Sequence, residues 1–312
     1  MDPLVDRIDA LQRRWRVTAF LWAVQKKYSD DRGGYLAALV TYYGFLSIFP
    51  LILAAFTIVA YVLSGDRSAV ASLERHIAGY PIVGPAARAL ENKRMHGQPF
   101  ALVIGVAGLV WGAQGLAQAA QFTMGQAWNI KDKNRFGFLP RTLRSFAWYA
   151  TFGLGVVVST TVSSAGELLH WTGGDVLSTV ASFVVDIAMF AASFRILTPS
   201  GVRMRQMLPG AVAAGVAWAV LTGIGVALVP LLNHSNPLYG SFTSVLALLG
   251  YIYLCARATI LSVEASVVKA RSLWPRSLTS RNLTPADLRQ LESIAGREER
   301  VKGEEVGVEI RS

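Results

Sequence analysis

The chain has 312 residues, of which 53% are hydrophobic and only 16% charged; its mean hydropathy is +0.39 and its formal net charge +10. This composition excludes a polar, water-soluble globule, and the length suits one polytopic membrane domain. The single cysteine, Cys255, excludes an intrachain disulfide.

Residues 1–35 form a basic segment carrying Arg7, Arg13, Arg14, Arg16, Lys26, Lys27 and Arg32. An apolar run then extends from Leu36 to Leu63 without a Lys, Arg, Asp or Glu. As a helix it is long enough to cross a hydrocarbon core of about 30 Å. It is too long for the apolar stretch of a signal peptide, and it follows a charged segment. Pro50 lies in its middle and removes one backbone hydrogen bond, so a kink is expected there, either a hinge or a fixed shape feature. Ser47 and Tyr43 precede it by one and two turns and lie near the freed carbonyls.

The link from 64 to 98 is not a plain loop. Val70, Leu73 and Ile77 are spaced for one helix face, and Pro81 and Pro85 interrupt it. The pattern predicts two short amphipathic helices on the outer interface. Five further apolar runs follow: Pro99 to Gln121, Phe146 to Leu168, Val176 to Leu197, Leu208 to Leu232 and Ser241 to Val268. Backbone groups in lipid must be satisfied within their own segment, so each run is expected to be helical. The ten-residue alternation of a membrane barrel is absent. Pro209 falls near the start of the fifth span, where proline is tolerated.

Residues 271–312 form a polar tail of mixed sign. Thr284, Pro285, Ala286 and Asp287 read as an N-cap with Pro at the first helical position. From Glu298 onward the composition predicts disorder.

Lys and Arg set the orientation. They crowd the N-terminal segment, the second-to-third link (Lys131, Lys133, Arg135, Arg141, Arg144), the fourth-to-fifth link (Arg203, Arg205) and the tail. The third-to-fourth and fifth-to-sixth links have none. The positive-inside rule predicts six spans with both termini cytoplasmic. The fold class is therefore an all-α membrane protein: a basic segment over 1–35, a six-helix domain over 36–270, and a cytoplasmic tail over 271–312. The basic cytoplasmic face is expected to attract anionic lipid, and no nucleic-acid partner is needed to explain the charge.

Charges inside spans are costly, about 2.5–3.5 kcal/mol each on insertion scales, and are functional by default. Asp186 lies near the middle of the fourth span and Arg257 in the last span. Arg195 and Glu264 lie near cytoplasmic ends, and Glu264 shares a helix face with Arg257 seven residues earlier. Asp186 is expected to face Arg257, as part of a polar pathway or as a buried ion pair fixing helix register. Arg195 can simply snorkel to the interface. In the second span Gln114, Gln118 and Gln121 form a polar stripe that either lines a cavity or bonds a neighbouring helix, and Gly108 and Gly112 make a GxxxG pair. The transport-pathway candidates are thus Asp186, Arg257, Glu264, Arg195, Gln114, Gln118, Gln121, Tyr43 and Ser47, with Pro50 as the candidate hinge. The four histidines, His76, His96, His170 and His234, all fall outside and none has metal-ligand spacing to another. No phosphate loop, HExxH or other hydrolytic motif occurs, so no catalytic residue, metal or cofactor is assigned.

Three stretches resemble the YihY/BrkB family of bacterial inner-membrane proteins, formerly named ribonuclease BN. They are Tyr42-Tyr43-Gly44-Phe45-Leu46-Ser47-Ile48-Phe49-Pro50-Leu51, Leu208-Pro209-Gly210-Ala211 with Trp218, and Tyr239-Gly240-Ser241 with Glu264. Ser262 stands where the family usually has Gly, and Tyr251 where it often has Trp. The resemblance implies six spans and a role in the bacterial cell envelope. Together with the mid-span charges it points to a transporter or flippase-like handler of a lipid or other amphipathic envelope molecule. The alternatives are a non-transporting assembly scaffold and, against the residue pattern, a ribonuclease. Cargo, energy source and oligomeric state, a homo-oligomer included, are left open by the sequence.

Overall fold

The computed structural model describes residues 9, 12, 14–62, 114–168, 174–199, 201–233, 240–278, 283–301 and 303–309; over 49–62, 164–168, 174–175, 226–233 and 240–244 it describes the helix path alone. Among the described residues all regular structure is helical. In chain order these are α1 (Arg16–Asp30), α2 (Gly33–Val62), a helical stretch over 114–127, α3 (Phe138–Leu168), α4 (Gly174–Leu197), α5 (Met204–Asn233), α6 (Gly240–Ala270) and α7 (Pro285–Arg297), with one 3-10 turn at Asp132–Asn134.

Four helices are long and apolar enough to cross a membrane, over Phe138–Ser163, Val176–Leu197, Met204–Gly225 and Val245–Ala270. They match the third to sixth expected spans. Helix α2 covers the first, and only the end of the second is described. The amphipathic segment at 64–98, the Gly108/Gly112 pair and all four histidines lie outside the described residues. Helix α1 was not foreseen. Helix α5 begins at Met204, so Pro209 sits in its second turn rather than at its start, where its missing N–H leaves one interior bond unmade.

The chain divides into two compact units: Met1–Ala37 with Ala120–Ala219 and Arg257–Ser312, and Ala38–Ala119 with Val220–Ala256. The first is built around α3, α4, the start of α5 and the end of α6. Helices α3 and α4 run antiparallel: Arg144 Nη1 donates to the Ile196 carbonyl at 3.0 Å, and Phe152 meets Phe190 at 6.3 Å between centroids. Trp218 of α5 closes this aromatic group, 6.2 Å from Phe152 and 6.0 Å from Phe190. Met124, Trp128, Met207, Val263 and Val267 extend the core below it. Helices α5 and α6 approach closely at Gly210. Its N–H donates to Ser266 Oγ at 2.7 Å, and a Cβ there would lie 2.5 Å from that oxygen.

The outward faces carry exposed apolar residues in helical register. Leu139, Leu143 and Phe146 lie on α3, Val176, Val180 and Val184 on α4, and Leu208, Val212 and Val216 on α5. Such stripes are unstable against water and natural against acyl chains. In the second unit the Tyr43 ring lies on Gly115, where a Cβ would sit 2.5 Å from it. Gly44 faces Ile252 and Leu116, and the Tyr251 hydroxyl donates to the Leu221 carbonyl at 3.1 Å.

Candidate functional site

The most charged buried region lies in the first unit, at the polar end of α6. Helix α1 ends at Asp30 because Asp31 caps it and Arg32 takes a left-handed φ of 55°. That turn aims Asp31 inward, beside Lys27 one turn earlier. The Lys27 ammonium bonds Asp31 Oδ2, donates to the Ala127 carbonyl at 2.7 Å, and lies 2.7 Å from Glu264 Oε2 of α6. All three side chains are 0% exposed. The Glu264 contact is an ion pair, yet neither carboxylate oxygen of Glu264 accepts a hydrogen bond. Arg297 of α7 reaches Asp31 Oδ1 at 3.4 Å and Asn129 Oδ1 at 3.1 Å. Arg271 bonds the Trp128 carbonyl and donates to Ser293 Oγ at 2.6 Å. One buried lysine thus holds α1, the 114–127 helix and α6 together.

A second network joins the N-terminal helix to the tail. Thr284 and Asp287 form a reciprocal capping box with Pro285 in the first turn, as the sequence predicts. Asp287 is nearly sealed from solvent and accepts from Lys26 Nζ at 2.9 Å, Arg276 Nε at 2.7 Å, the Ser277 N–H at 3.0 Å and the Thr284 N–H at 2.9 Å. Burial by itself would raise its carboxyl. These donors outweigh burial and hold it well below the ordinary carboxylate range. Arg276, also buried, pairs with Asp30 at 2.7 Å. Burial pushes the Asp30 carboxyl up, against the pull of Arg276.

Just past Glu298, where the composition predicts disorder, Glu299 is packed against the fold. Glu299 meets Lys131 at 2.7 Å and Lys133 at 2.6 Å, and its carbonyl accepts from the Lys133 N–H. Its carboxyl is held low by those two lysines. A cleft of about 520 Å³ nearby is lined by Lys131, Arg271, Arg289, Glu292 and Glu299, none of them a pathway candidate.

The candidates fall as follows. Asp186 is buried in α4 at 8% exposure, and its Oδ1 has no hydrogen-bond partner. Arg257 is exposed, with its guanidinium 5.8 Å from the centre of the Tyr28 ring. No ion pair among the described residues joins Asp186 to Arg257, so their expected facing is corrected: Arg257 turns to an aromatic face at α1 instead. No ion pair among the described residues joins Glu264 to Arg257 either; Glu264 pairs with Lys27. Arg195 is exposed and donates to the Val202 carbonyl at 3.1 Å, closing the α4–α5 link. Gln121 donates to the Arg141 carbonyl at 3.1 Å and to Ser145 Oγ at 3.0 Å, which ties the 114–127 helix to α3. Gln114 is half-buried with Oε1 unpartnered, and Gln118 is half-buried. Ser47 donates to the Gly44 carbonyl at 2.8 Å, a bond within its own helix. The Pro50 side chain lies outside the described residues.

Lys27, Asp31, Asp287 and Arg276 were missed as site residues by sequence reasoning. The i,i+4 spacing of Lys27 and Asp31 was the available signal, but that pattern is common on solvated helices. Among the described residues no group of three or more His, Cys, Asp or Glu could hold a metal ion.

A model of the virulence factor BrkB family matches residues 24–282. The putative ribonuclease-like protein YfkH of Bacillus subtilis (strain 168) is 21% identical over 263 residues, covering 80% of this chain and 94% of that protein. No solved structure matches the chain. The matched region takes in α2 to α6, the buried Lys27–Asp31–Glu264 cluster and Arg276, and the chain belongs to the virulence factor BrkB family.

Proposed function

We propose that this integral membrane protein is a transporter or flippase-like handler of a lipid or other amphipathic molecule of the cell envelope, working in the bacterial inner membrane. The observation that carries the reading is Asp186: a buried carboxylate in an apolar membrane-crossing helix, with one oxygen unpartnered. A charge placed there is costly and has no packing reason, so a polar ligand passing the helix is its best account. The headgroup of an amphipathic molecule supplies the missing donors while its chains stay in hydrocarbon. The remaining pathway candidates, Glu264, Arg257, Arg195, Gln114, Gln118, Gln121, Tyr43 and Ser47, with Pro50 as hinge, stand in this proposal as sites to be tested.

The experiment is lipid translocation in proteoliposomes, read by quenching of a headgroup-labelled lipid from outside. The purified protein should move label faster than protein-free vesicles, and Asp186→Asn should reduce that rate. No movement by well-folded protein overturns the reading. It would favour a non-transporting scaffold in envelope assembly, a role that the tightly tied termini around Asp287 also suit. Both termini on the cytoplasmic side, and six spans in all, belong to the same proposal.

A further inference from the structure

The cleft of about 520 Å³ beside Glu299 lies wholly within the first unit, where the turn after the 114–127 helix, the end of α6 and α7 meet. Two of its arginines bridge the same pair of segments in opposite directions. Arg271, the first residue past α6, reaches α7, where its Nη1 donates to Ser293 Oγ at 2.6 Å; its Nη2 donates to the Trp128 carbonyl. Arg289 of α7 reaches back, and its Nη2 donates to the Ser272 carbonyl at 2.8 Å. Arg289 and Ser293 are four residues apart on α7 and share a face. Both guanidiniums and the Ser293 side chain thus line one cleft.

The nearby carboxylates are engaged elsewhere. Glu299 pairs with Lys131 and Lys133, Asp31 with Lys27 and Arg297, and Glu264 with Lys27. Arg271 and Arg289 are held by neutral oxygens, and neither forms an ion pair among the described residues. Arg271 is half-buried, and burial pulls its guanidinium down, against the charges of Asp31 and Glu264. A partly buried cation without an anion in contact is costly. Each guanidinium carries five N–H donors in a fork that matches phosphate oxygens. Arg271 uses two of them and Arg289 one. Ser293 Oγ accepts from Arg271, which leaves its own proton to be donated. In the lining Lys131, Arg271 and Arg289 stand against Glu292 and Glu299, so one positive charge is in excess. That balance suits one phosphate and opposes a polyphosphate.

We propose that this cleft binds a single phosphate group, clasped by Arg271 and Arg289 with the Ser293 hydroxyl as a further donor. Arg271 directly follows the membrane-crossing stretch Val245–Ala270, so the phosphate can come from a soluble phosphomonoester or from a lipid headgroup. The volume suits either, at the scale of small-ligand sites. The site is independent of Asp186, which lies in α4 and outside the cleft.

The test uses the full chain in dodecyl maltoside micelles, which carry no phosphate, in a phosphate-free buffer. Glycerol 3-phosphate is titrated by calorimetry, with glycerol as the neutral control. In a second arm phosphatidic acid is added to the micelles, and lipid retained by the protein is read by native mass spectrometry. Glycerol 3-phosphate should bind saturably and glycerol should not. Arg289→Gln should weaken binding at least about tenfold, the scale of one charge-assisted hydrogen bond. Arg205→Gln, an exposed arginine outside the cleft, should leave it unchanged. Arg271→Gln should abolish binding, but Arg271 also ties α6 to the Trp128 turn; Arg289→Gln gives up one bond to a carbonyl and so decides the matter. Phosphatidic acid retained by the wild type and lost in Arg289→Gln, with no binding of glycerol 3-phosphate, would assign the phosphate to a lipid headgroup. Binding of neither probe overturns the proposal. So does binding that Arg289→Gln leaves unchanged, or that Arg205→Gln weakens equally.

Discussion

Replacing Lys27 by Met removes one ammonium that donates to two acceptors and forms an ion pair with a third group. Its nitrogen bonds Asp31 and the Ala127 carbonyl and lies 2.7 Å from Glu264, and all three side chains are sealed from water. Methionine keeps the apolar stem and most of the volume, so the lost term is electrostatic. Two carboxylates are left facing each other with no cation between them. Breaking a buried pair by removing one partner costs about 3–5 kcal/mol. That corresponds to a fall in the folded-to-unfolded ratio of between about a hundredfold and several thousandfold. Lys131→Met is the internal control: Lys131 pairs with Glu299 at a similar distance but is 44% exposed, and exposed pairs contribute about 0–1 kcal/mol. The assay is equilibrium unfolding in bicelles by steric trapping, with both variants measured beside the wild type. Adding Glu264→Gln to Lys27→Met removes one of the stranded charges and should recover part of the loss. If Lys27→Met costs no more than Lys131→Met, the buried cluster does not hold α1 to α6 and the reasoning fails.

Gly210→Val should separate α5 from α6, because its Cβ would strike the Ser262 carbonyl oxygen and Ser266 Oγ; a loss of about 1–3 kcal/mol in the same unfolding assay is expected. The Asp287 carboxyl lies below its unfolded value, so its contribution is present above about pH 4 and is lost as pH falls through the folded value. Pepsin, which is active in that range, should cut the tail near Leu278 faster as the pH falls below about 4, a change absent in Asp287→Asn, whose tail should be cut readily throughout. Because Arg257 faces Tyr28 rather than Asp186, the losses from Asp186→Asn and Arg257→Gln should add to within about 0.3–0.5 kcal/mol; a larger coupling energy would show that the two interact. Single cysteines at 133 and 203 should resist a membrane-impermeant thiol reagent in intact cells and react after lysis; labelling from outside would reverse the proposed orientation.

The membrane character and the helical spans were legible in the chain itself. Transfer of apolar side chains depends on composition along a segment, and backbone groups in lipid can be satisfied only locally, so both are properties of short stretches of sequence. The capping box at Thr284 and Asp287 was legible for the same reason, being a contact between residues three apart. The partners of the charges were not. Glu264 could be placed near the end of the last span, but that it meets Lys27 depends on α1 folding back beside α6, a contact between residues 237 positions apart in numbering (27 and 264). Asp186 and Arg257 looked like partners because each is a lone charge in an apolar run; helix rotation turned Arg257 to Tyr28 instead. The tail after Glu298 looked disordered because it is short of apolar residues, yet Glu299 is ordered by two lysines from a different segment. Hydrophobicity acts on a residue wherever it lies, and so can be read from the chain; charge acts through a partner at a few ångströms, and only the tertiary structure decides which partner arrives.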